Sequence, residues 1–392
     1  MLSPYILDEV LDGFKKRGLY RTLRTCSQFK SSKLVLNGKE LINFSSNNYL
    51  GLADDPVLKE AACRAIEKYG CGSTASRLMC GNLALNEELG KRIAKFKRTE
   101  AALIFSSGYM ANIGTISALM GRRDVIFADK NNHASLVDGC ILSRAKLMRY
   151  SHRDIKDLER ILRNTGKYGR RLIVTDSLFS MDGDIAPLPD IIELAKQYNC
   201  MVMIDDAHAT GVLGRTGRGS AEYFALPEGA IDIHMGTFGK ALGSFGAYVA
   251  GSKKLIDFLI NKARSFIFST ALPPSVIGSV IAAISILETD NTRIKALNKN
   301  VDYFRNHLRK AGFNILDTAT QIIPLMVGEN EKALQFSKLL MQNGIFAVPI
   351  RPPTVPSNTA RIRFSITSAH SKEELSYTIK IIKKVGKKLN II

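Results

Sequence analysis

The chain has 392 residues, 45% of them hydrophobic, and 55 Lys and Arg against 36 Asp and Glu set its formal net charge at +19. A chain of this length buries a large core and divides into a major and a minor part, which excludes a small stapled module. The basic residues are spread along the chain without a basic-aromatic motif, and no run reaches the ~18 apolar residues of a membrane span, so neither nucleic acid nor membrane is expected as a partner. The start, Met1-Leu2-Ser3-Pro4-Tyr5, lacks a basic region followed by an apolar stretch. Cys26, Cys63, Cys71, Cys80, Cys140 and Cys200 form no Cys-x-x-Cys pair. A reduced, cytoplasmic protein without a targeting signal or a metal site is expected.

In chain order, residues 5 to 17 read as an amphipathic helix, followed by short strands near 34 to 44. Asp55-Pro56 opens a helix through about Tyr69, with Asp as cap and Pro in the first turn. From Glu100 to about Val249, apolar runs alternate with helical stretches. The runs are Ala101 to Phe105, Val125 to Ala128, Lys146 to Arg149, Leu172 to Thr175, Met201 to Asp205 and Ala247 to Ala250. Such alternation predicts an α/β fold, a mostly parallel sheet flanked by helices. After Pro273-Pro274 a long helical region leads into strands and helices from Gly312 to Ile392. The expected division is an N-terminal segment 1–50, a large α/β domain 51–285 and a C-terminal α+β lobe 286–392. The terminal lysines Lys380, Lys383, Lys384, Lys387 and Lys388 read as the surface of an amphipathic helix.

The chemistry concentrates in Gly236-Thr237-Phe238-Gly239-Lys240-Ala241-Leu242-Gly243 and, 35 residues before the lysine, in Asp205-Asp206-Ala207-His208. Gly-x-x-Gly-Lys is not a nucleotide phosphate loop, because the spacing is short and Ala241 stands where Ser or Thr is needed. A lysine between small residues, downstream of an apolar run ending in Asp-x-x-His, is instead what a pyridoxal phosphate enzyme requires. Lys240 would carry the cofactor as a Schiff base. Asp205, ending the strand Met201 to Asp205, would keep the pyridine nitrogen protonated. At roughly 4 Å and an effective dielectric of about 20, that pair is worth on the order of 4 kcal/mol. Open α/β sheets bind ligands at this strand end. His208 would reach the cofactor's phenolic oxygen from the following turn. Ser106-Ser107-Gly108-Tyr109 follows a strand and opens a helix, whose free N–H groups suit the phosphate. His133 follows another strand end, where its ring would stack on the pyridine.

Together these motifs resemble the α-oxoamine synthases among the fold-type I pyridoxal phosphate enzymes. The resemblance runs from about Tyr20 to the end through Asn43-Phe44-Ser45-Ser46-Asn47-Asn48-Tyr49-Leu50-Gly51-Leu52, Ser107-Gly108-Tyr109, Asn132-His133-Ala134-Ser135, Phe179-Ser180-Met181-Asp182-Gly183-Asp184, Asp205-Asp206-Ala207-His208, Thr237-Phe238-Gly239-Lys240 and Phe268-Ser269-Thr270. Ile350-Arg351-Pro352-Pro353-Thr354-Val355-Pro356 and Thr359-Ala360-Arg361-Ile362-Arg363 are similar to the branch that joins L-alanine to a pimeloyl thioester, on coenzyme A or a carrier protein, in biotin biosynthesis. A sister branch using glycine with acetyl-coenzyme A, or another α-oxoamine synthase with a different amino acid and acyl-coenzyme A pair, is the alternative.

The resemblance implies that Lys240 anchors pyridoxal 5′-phosphate and takes the substrate's α-proton, Asp205 pairs with the ring nitrogen, His208 bonds the phenolic oxygen and His133 stacks on the ring. It implies further that Gly108, Tyr109 and Thr237 hold the phosphate, that Ser180 adds a contact, and that Ser269 and Thr270 come from the neighbouring subunit of a homodimer with shared active sites. Arg363 is implied as the carboxylate clamp, assisted by Asn47, with Arg21 and Thr354 on the acyl substrate; Arg351 and Arg361 read as surface ion pairs. Two departures stand out. Thr74-Ala75 occupies the place of paired glycines in many members, and Asp176 that of a Glu in some.

Overall fold

A computed structural model describes residues 4–392; the first three residues of the expected N-terminal segment lie outside the described residues. The chain forms two compact units, one of residues 47–180 and 184–295, the other of residues 1–46, 181–183 and 296–392. The first 46 residues therefore share a unit with the C-terminal stretch, and the division falls at 295 where the sequence suggests 285. Packing explains the later boundary. The helix Pro274–Thr289 lies against the helices Pro56–Tyr69 and Ala84–Lys97 of the large unit.

The large unit is built on a seven-stranded sheet in the order Ala101–Phe105, Ala247–Gly251, Ile233–Thr237, Met201–Asp205, Arg171–Asp176, Val125–Asp129, Lys146–Tyr150. Ala247–Gly251 runs antiparallel to both its neighbours and the remaining strands are parallel. Ile233–Thr237 is a strand the sequence reading does not assign, although Ile233 and Met235 alternate with His234 and Gly236. Period-two alternation fills both faces. Ile126, Ala128, Val174 and Met203 face one helical layer, while Val125, Phe127, Ile173, Val202 and Ile204 face the other. One consequence positions the site: the C-terminal ends of the parallel strands, Phe105, Asp129, Asp176, Asp205 and Thr237, lie along a single edge.

The smaller unit holds two sheets. Cys26–Lys30, Lys33–Leu36 and Lys39–Asn43 form an antiparallel meander joined by Ile345–Phe346, and Ile322–Gly328, Ala360–Ser365 and Pro349–Ile350 form a second sheet. The helix Lys372–Lys388 begins with a capping box between Ser371 and Glu374. It buries Leu375, Ile379, Ile382 and Val385 and leaves Lys380, Lys384, Lys387 and Lys388 exposed.

Within this unit His370 stacks on Phe44 at 4.3 Å, its Nδ1 accepting from the Thr367 N–H at 3.2 Å and its Nε2 3.2 Å from the Asn43 carbonyl. Burial lowers its pKa to about 4. The folded state therefore stays neutral while the unfolded chain takes up a proton below about pH 6.5. Stability is full above that pH and falls as pH drops toward 4, by on the order of 3 kcal/mol for this one residue. Buried His234, also lowered to about 4, adds to the trend. The urea midpoint is expected to fall over this window, and His370→Gln to fall less steeply; equal slopes would reject the assignment.

Candidate active site

Lys240 sits three residues beyond the strand Ile233–Thr237, in a turn closed by the Gly243 N–H on the Lys240 carbonyl at 3.0 Å and the Ser244 N–H on the Phe238 carbonyl at 2.9 Å. Gly243 has φ +65°, and a Cβ there would come within 2.5 Å of the Ala53 nitrogen. No other residue fits that position without moving the lysine turn.

On the neighbouring strand, Asp205 is 3% exposed. Its Oδ2 accepts from Asn112 Nδ2 at 2.8 Å and its Oδ1 from the Ala207 N–H at 2.9 Å. The other hydrogen of the Asn112 amide goes to Ser135 Oγ at 2.9 Å, and that hydroxyl lies 2.7 Å from His133 Nδ1. Asn112, which the sequence does not single out, thus ties the acid to the imidazole. His133 caps the helix Ala134–Ser143, and its own N–H donates to Asp176 Oδ2 at 2.6 Å. Asp176 and Asp205 are register partners on adjacent strands. Burial, with the Asp205 charge beside it, raises the Asp176 pKa well above the carboxylate range. The His133 ring keeps an exposed face, but the protein crowded around it lowers its pKa; the Asp205 charge opposes this and the Lys240 charge adds to it.

His208 is buried, with its Nδ1 2.7 Å from the Tyr49 hydroxyl, which also donates to Asn47 Oδ1 at 3.0 Å. Behind the Asp205–His208 turn stands a second unassigned pair. Lys97 Nζ meets Asp206 Oδ2 at 2.8 Å, with both side chains at most 1% exposed.

The expected phosphate residues meet where the helix Gly108–Leu119 begins. Ser107 caps it, accepting from the Met110 N–H at 3.2 Å. A Cβ on Gly108 would lie 2.6 Å from Thr237 Cγ2, so the strand end and the helix start touch. The Tyr109 hydroxyl donates to Asp138. Ser269 Oγ approaches Met110 Sδ at 3.9 Å, and exposed Thr270 accepts from Ser106 Oγ through its carbonyl at 3.2 Å. Ser180 lies half-buried in the stretch after Arg171–Asp176.

The arrangement fits pyridoxal phosphate in its donor set. Thr237 Oγ1 is buried without a protein partner beside free N–H groups at a helix start, which suits a phosphate. A buried, doubly hydrogen-bonded carboxylate suits a protonated pyridine.

In the smaller unit, Arg21 Nη2 lies 3.4 Å from Thr354 Oγ1, in a groove of about 580 Å³ that Arg24, Val348, Ile350 and Arg351 also line. Arg363 is 8% exposed and donates to Ser365 Oγ at 2.8 Å. Arg361 is not the surface residue its type suggests. It points to the same side of its strand as Arg363, is buried, and pairs with Asp182. Arg351, half-buried, donates to the Gly18 carbonyl instead of to an acid.

Comparison with known proteins agrees with this geometry. Residues 39–382 match the aminotransferase class I and II family. The chain is 52% identical over 386 residues to the 8-amino-7-oxononanoate synthase of Citrifermentans bemidjiense, covering 98% of this chain and 99% of that one. It is 49% identical to that of Thermoanaerobacter pseudethanolicus over the full length of both. The chain belongs to the 8-amino-7-oxononanoate synthase family. It is a pyridoxal 5′-phosphate-dependent acyltransferase with a fold-type I architecture. Solved structures that resemble it include a serine palmitoyltransferase from S. paucimobilis with bound PLP–myriocin, at TM-score 0.93, 31% identity and 98% of each chain. Another is the 8-amino-7-oxononanoate synthase of Francisella tularensis, at TM-score 0.78 and 31% identity over 89% of this chain and 98% of that one. Against this family background Thr74 has a structural meaning. It adopts φ +55°, a left-handed conformation that a β-branched residue rarely takes and a glycine takes freely. No helix among the described residues is long and apolar enough to cross a membrane, and all six cysteines are free.

Proposed function

We infer that the chain condenses L-alanine with a pimeloyl thioester to give 8-amino-7-oxononanoate, carbon dioxide and a free thiol. A bond forms between the alanine Cα and the thioester carbonyl carbon, the C–S bond breaks, and the alanine carboxyl leaves as carbon dioxide. The observation that carries the reading is the buried Asp205 on the strand beside the one leading to Lys240. When bound, pyridoxal phosphate supplies the electron sink for the carbanion at Cα.

The protein's own residues then have separate tasks. Lys240 would hold the cofactor, and its free amine would be the base for the Cα proton and later return a proton to that carbon. Asp205, held by Asn112 and the Ala207 N–H, keeps a proton on the pyridine nitrogen. His133, kept neutral at pH 7 by its crowded surroundings, covers the ring and donates toward the thioester carbonyl. Gly108, the Tyr109 N–H and Thr237 hold the phosphate, with Ser180 as a further contact. Arg363 binds the alanine carboxylate bidentately with help from Asn47, and Arg21 and Thr354 meet the acyl group.

The working form is proposed as a cytoplasmic homodimer in which Ser269 and Thr270 serve the partner's cofactor. Exposed Leu78, Met79, Ile141, Leu142 and Phe268 on the large unit support an apolar subunit interface. The test is a visible spectrum of the purified holoenzyme with alanine, glycine or serine, followed by thiol release from pimeloyl, acetyl or palmitoyl thioesters. Alanine with a pimeloyl thioester is expected to exceed every other pair in kcat/KM by at least about 10-fold. Preference for glycine with acetyl-coenzyme A, or for serine with a palmitoyl thioester, would overturn the reading.

A further inference from the structure

His152 has no task in the mechanism above, yet it joins the turn that delivers His133 to the hairpin that carries Ser180. The imidazole follows the strand Lys146–Tyr150 and is half-buried between two carboxylates. Its Nδ1 lies 2.9 Å from Asp129 Oδ1 and its Nε2 2.8 Å from Asp184 Oδ2. Ionised carboxylates only accept, so a ring that serves both donates from both nitrogens and carries a positive charge. Burial works against that charge, but the bonds to Asp129 and Asp184 outweigh it and raise the His152 pKa to about 9. Arg153 completes the clamp, giving its N–H to Asp129 Oδ2 at 2.9 Å and its Nη1 to Asp184 Oδ2 at 3.2 Å.

Each end of the clamp sets one loop. Asp129 ends the strand Val125–Asp129, and the following turn is wound on it. Its Oδ1 also accepts from the Asn131 N–H at 2.8 Å, and its carbonyl accepts from the Asn132 N–H at 3.2 Å. His133 is the next residue. Asp184 closes a hairpin tip, its carbonyl accepting from the Phe179 N–H at 3.0 Å beside an antiparallel bridge between Leu178 and Ile185. The His152 ring meets Phe179 edge-on at 4.4 Å, so it touches both residues at the base of the tip, and Ser180 follows Phe179. We propose that His152 is a positioning residue: by donating to Asp129 and Asp184 together, it fixes the ring-covering imidazole of His133 relative to the cofactor contact of Ser180. The inference rests on the roles given to His133 and Ser180 under Proposed function. In place of the charged ring, a neutral side chain leaves two carboxylates facing one another, and the loops they anchor are expected to part.

The test is a double-mutant cycle between His152→Gln and His133→Ala on the holoenzyme, read as kcat/KM for the pimeloyl thioester per bound cofactor. His152→Gln alone is expected to lose at least about 10-fold and up to about 100-fold, the scale of a reacting group displaced by about 1 Å. On the His133→Ala background the same substitution is expected to cost less than about 3-fold, since the residue it acts through is already gone. The visible circular dichroism of the bound cofactor should also change in His152→Gln, a signature that loss of global stability alone does not produce. A loss under about 10-fold in His152→Gln, or losses of similar size on both backgrounds, would overturn the proposal. Should His152→Gln fail to fold, Asp184→Asn, which leaves the bond to Asp129 in place, takes its position in the cycle with the same non-additivity expected. A His133→Ala enzyme as active as the parent takes down the role given to His133 and this inference together. An impaired His133→Ala beside an unimpaired His152→Gln takes down this inference alone.

Discussion

Lys240→Ala is expected to lower kcat by at least about 10³-fold with alanine and pimeloyl-coenzyme A, because it removes a general base as well as the covalent anchor. Base catalysis alone contributes roughly 10²–10⁴-fold. The turn itself should survive. Its closing bonds are backbone to backbone, through Gly243 and Ser244, and the lysine side chain is only half-buried. The unfolding free energy should therefore stay within about 0.5 kcal/mol of the parent, and the phosphate cradle should still hold the cofactor non-covalently. A direct readout isolates the proton step. In deuterium oxide the parent should exchange the alanine Cα proton without any thioester present, and the variant should not. Exchange at the parent's rate in the variant would place the base elsewhere, and His133 would then be the next group to test.

Asp206→Ala is expected to be the most damaging single change to stability, costing about 3–5 kcal/mol. Lys97 and Asp206 are both at most 1% exposed, and removing the acid leaves an ammonium buried without its counter-charge. Burial works against the charged form of Lys97, yet the Asp206 charge and Tyr248 outweigh it and raise the Lys97 pKa. Burial likewise works against the charged Asp206, and Lys97, Ser177 and Ser220 together lower its pKa. The pair thus contributes stability above the ordinary carboxylate range, which is lost as pH falls through the Asp206 pKa and again as pH rises through that of Lys97. The site feels the loss because Asp206 is bound to its neighbours on both sides. Its N–H donates to the Met235 carbonyl at 2.7 Å, while Ser177 donates its hydroxyl to Asp206 Oδ1 at 2.6 Å and its N–H to the Asp205 carbonyl at 3.0 Å. Cofactor affinity should weaken along with the urea midpoint. Adding Lys97→Met to Asp206→Ala should recover part of the loss, since it removes the buried charge left unpaired, while Ser177 and Ser220 stay without their acceptor. A loss under about 1 kcal/mol in Asp206→Ala would mean that water reaches Lys97.

Much of the large unit was legible because its strands are short, apolar and bounded by turns. Met201–Asp205 and Ala101–Phe105 lie where periodicity puts them, and Pro56 with its Asp55 cap starts a helix where local chemistry requires one. Ile233–Thr237 escaped because His234 and Gly236 dilute its apolar pattern, although it is the strand that delivers Lys240. Arg361 escaped for another reason. Arginine is usually exposed, and only the pairing with Asp182, distant in sequence, shows that it is buried.

The sequence by itself determined the residue types the chemistry needs, a lysine among small residues, an acid ending a buried strand and a histidine three residues on, because each sits in a local pattern with a physical signature. Only the tertiary structure decided what supports them. Asn112 reaches Asp205 across 93 residues of chain, Lys97 reaches Asp206 across 109 and Tyr49 reaches His208 across 159. An asparagine in a helix, a lysine near a helix end and a tyrosine in a turn are ordinary in sequence. Their meaning comes from which buried polar atom each one meets, and that is set by how the strands and helices pack.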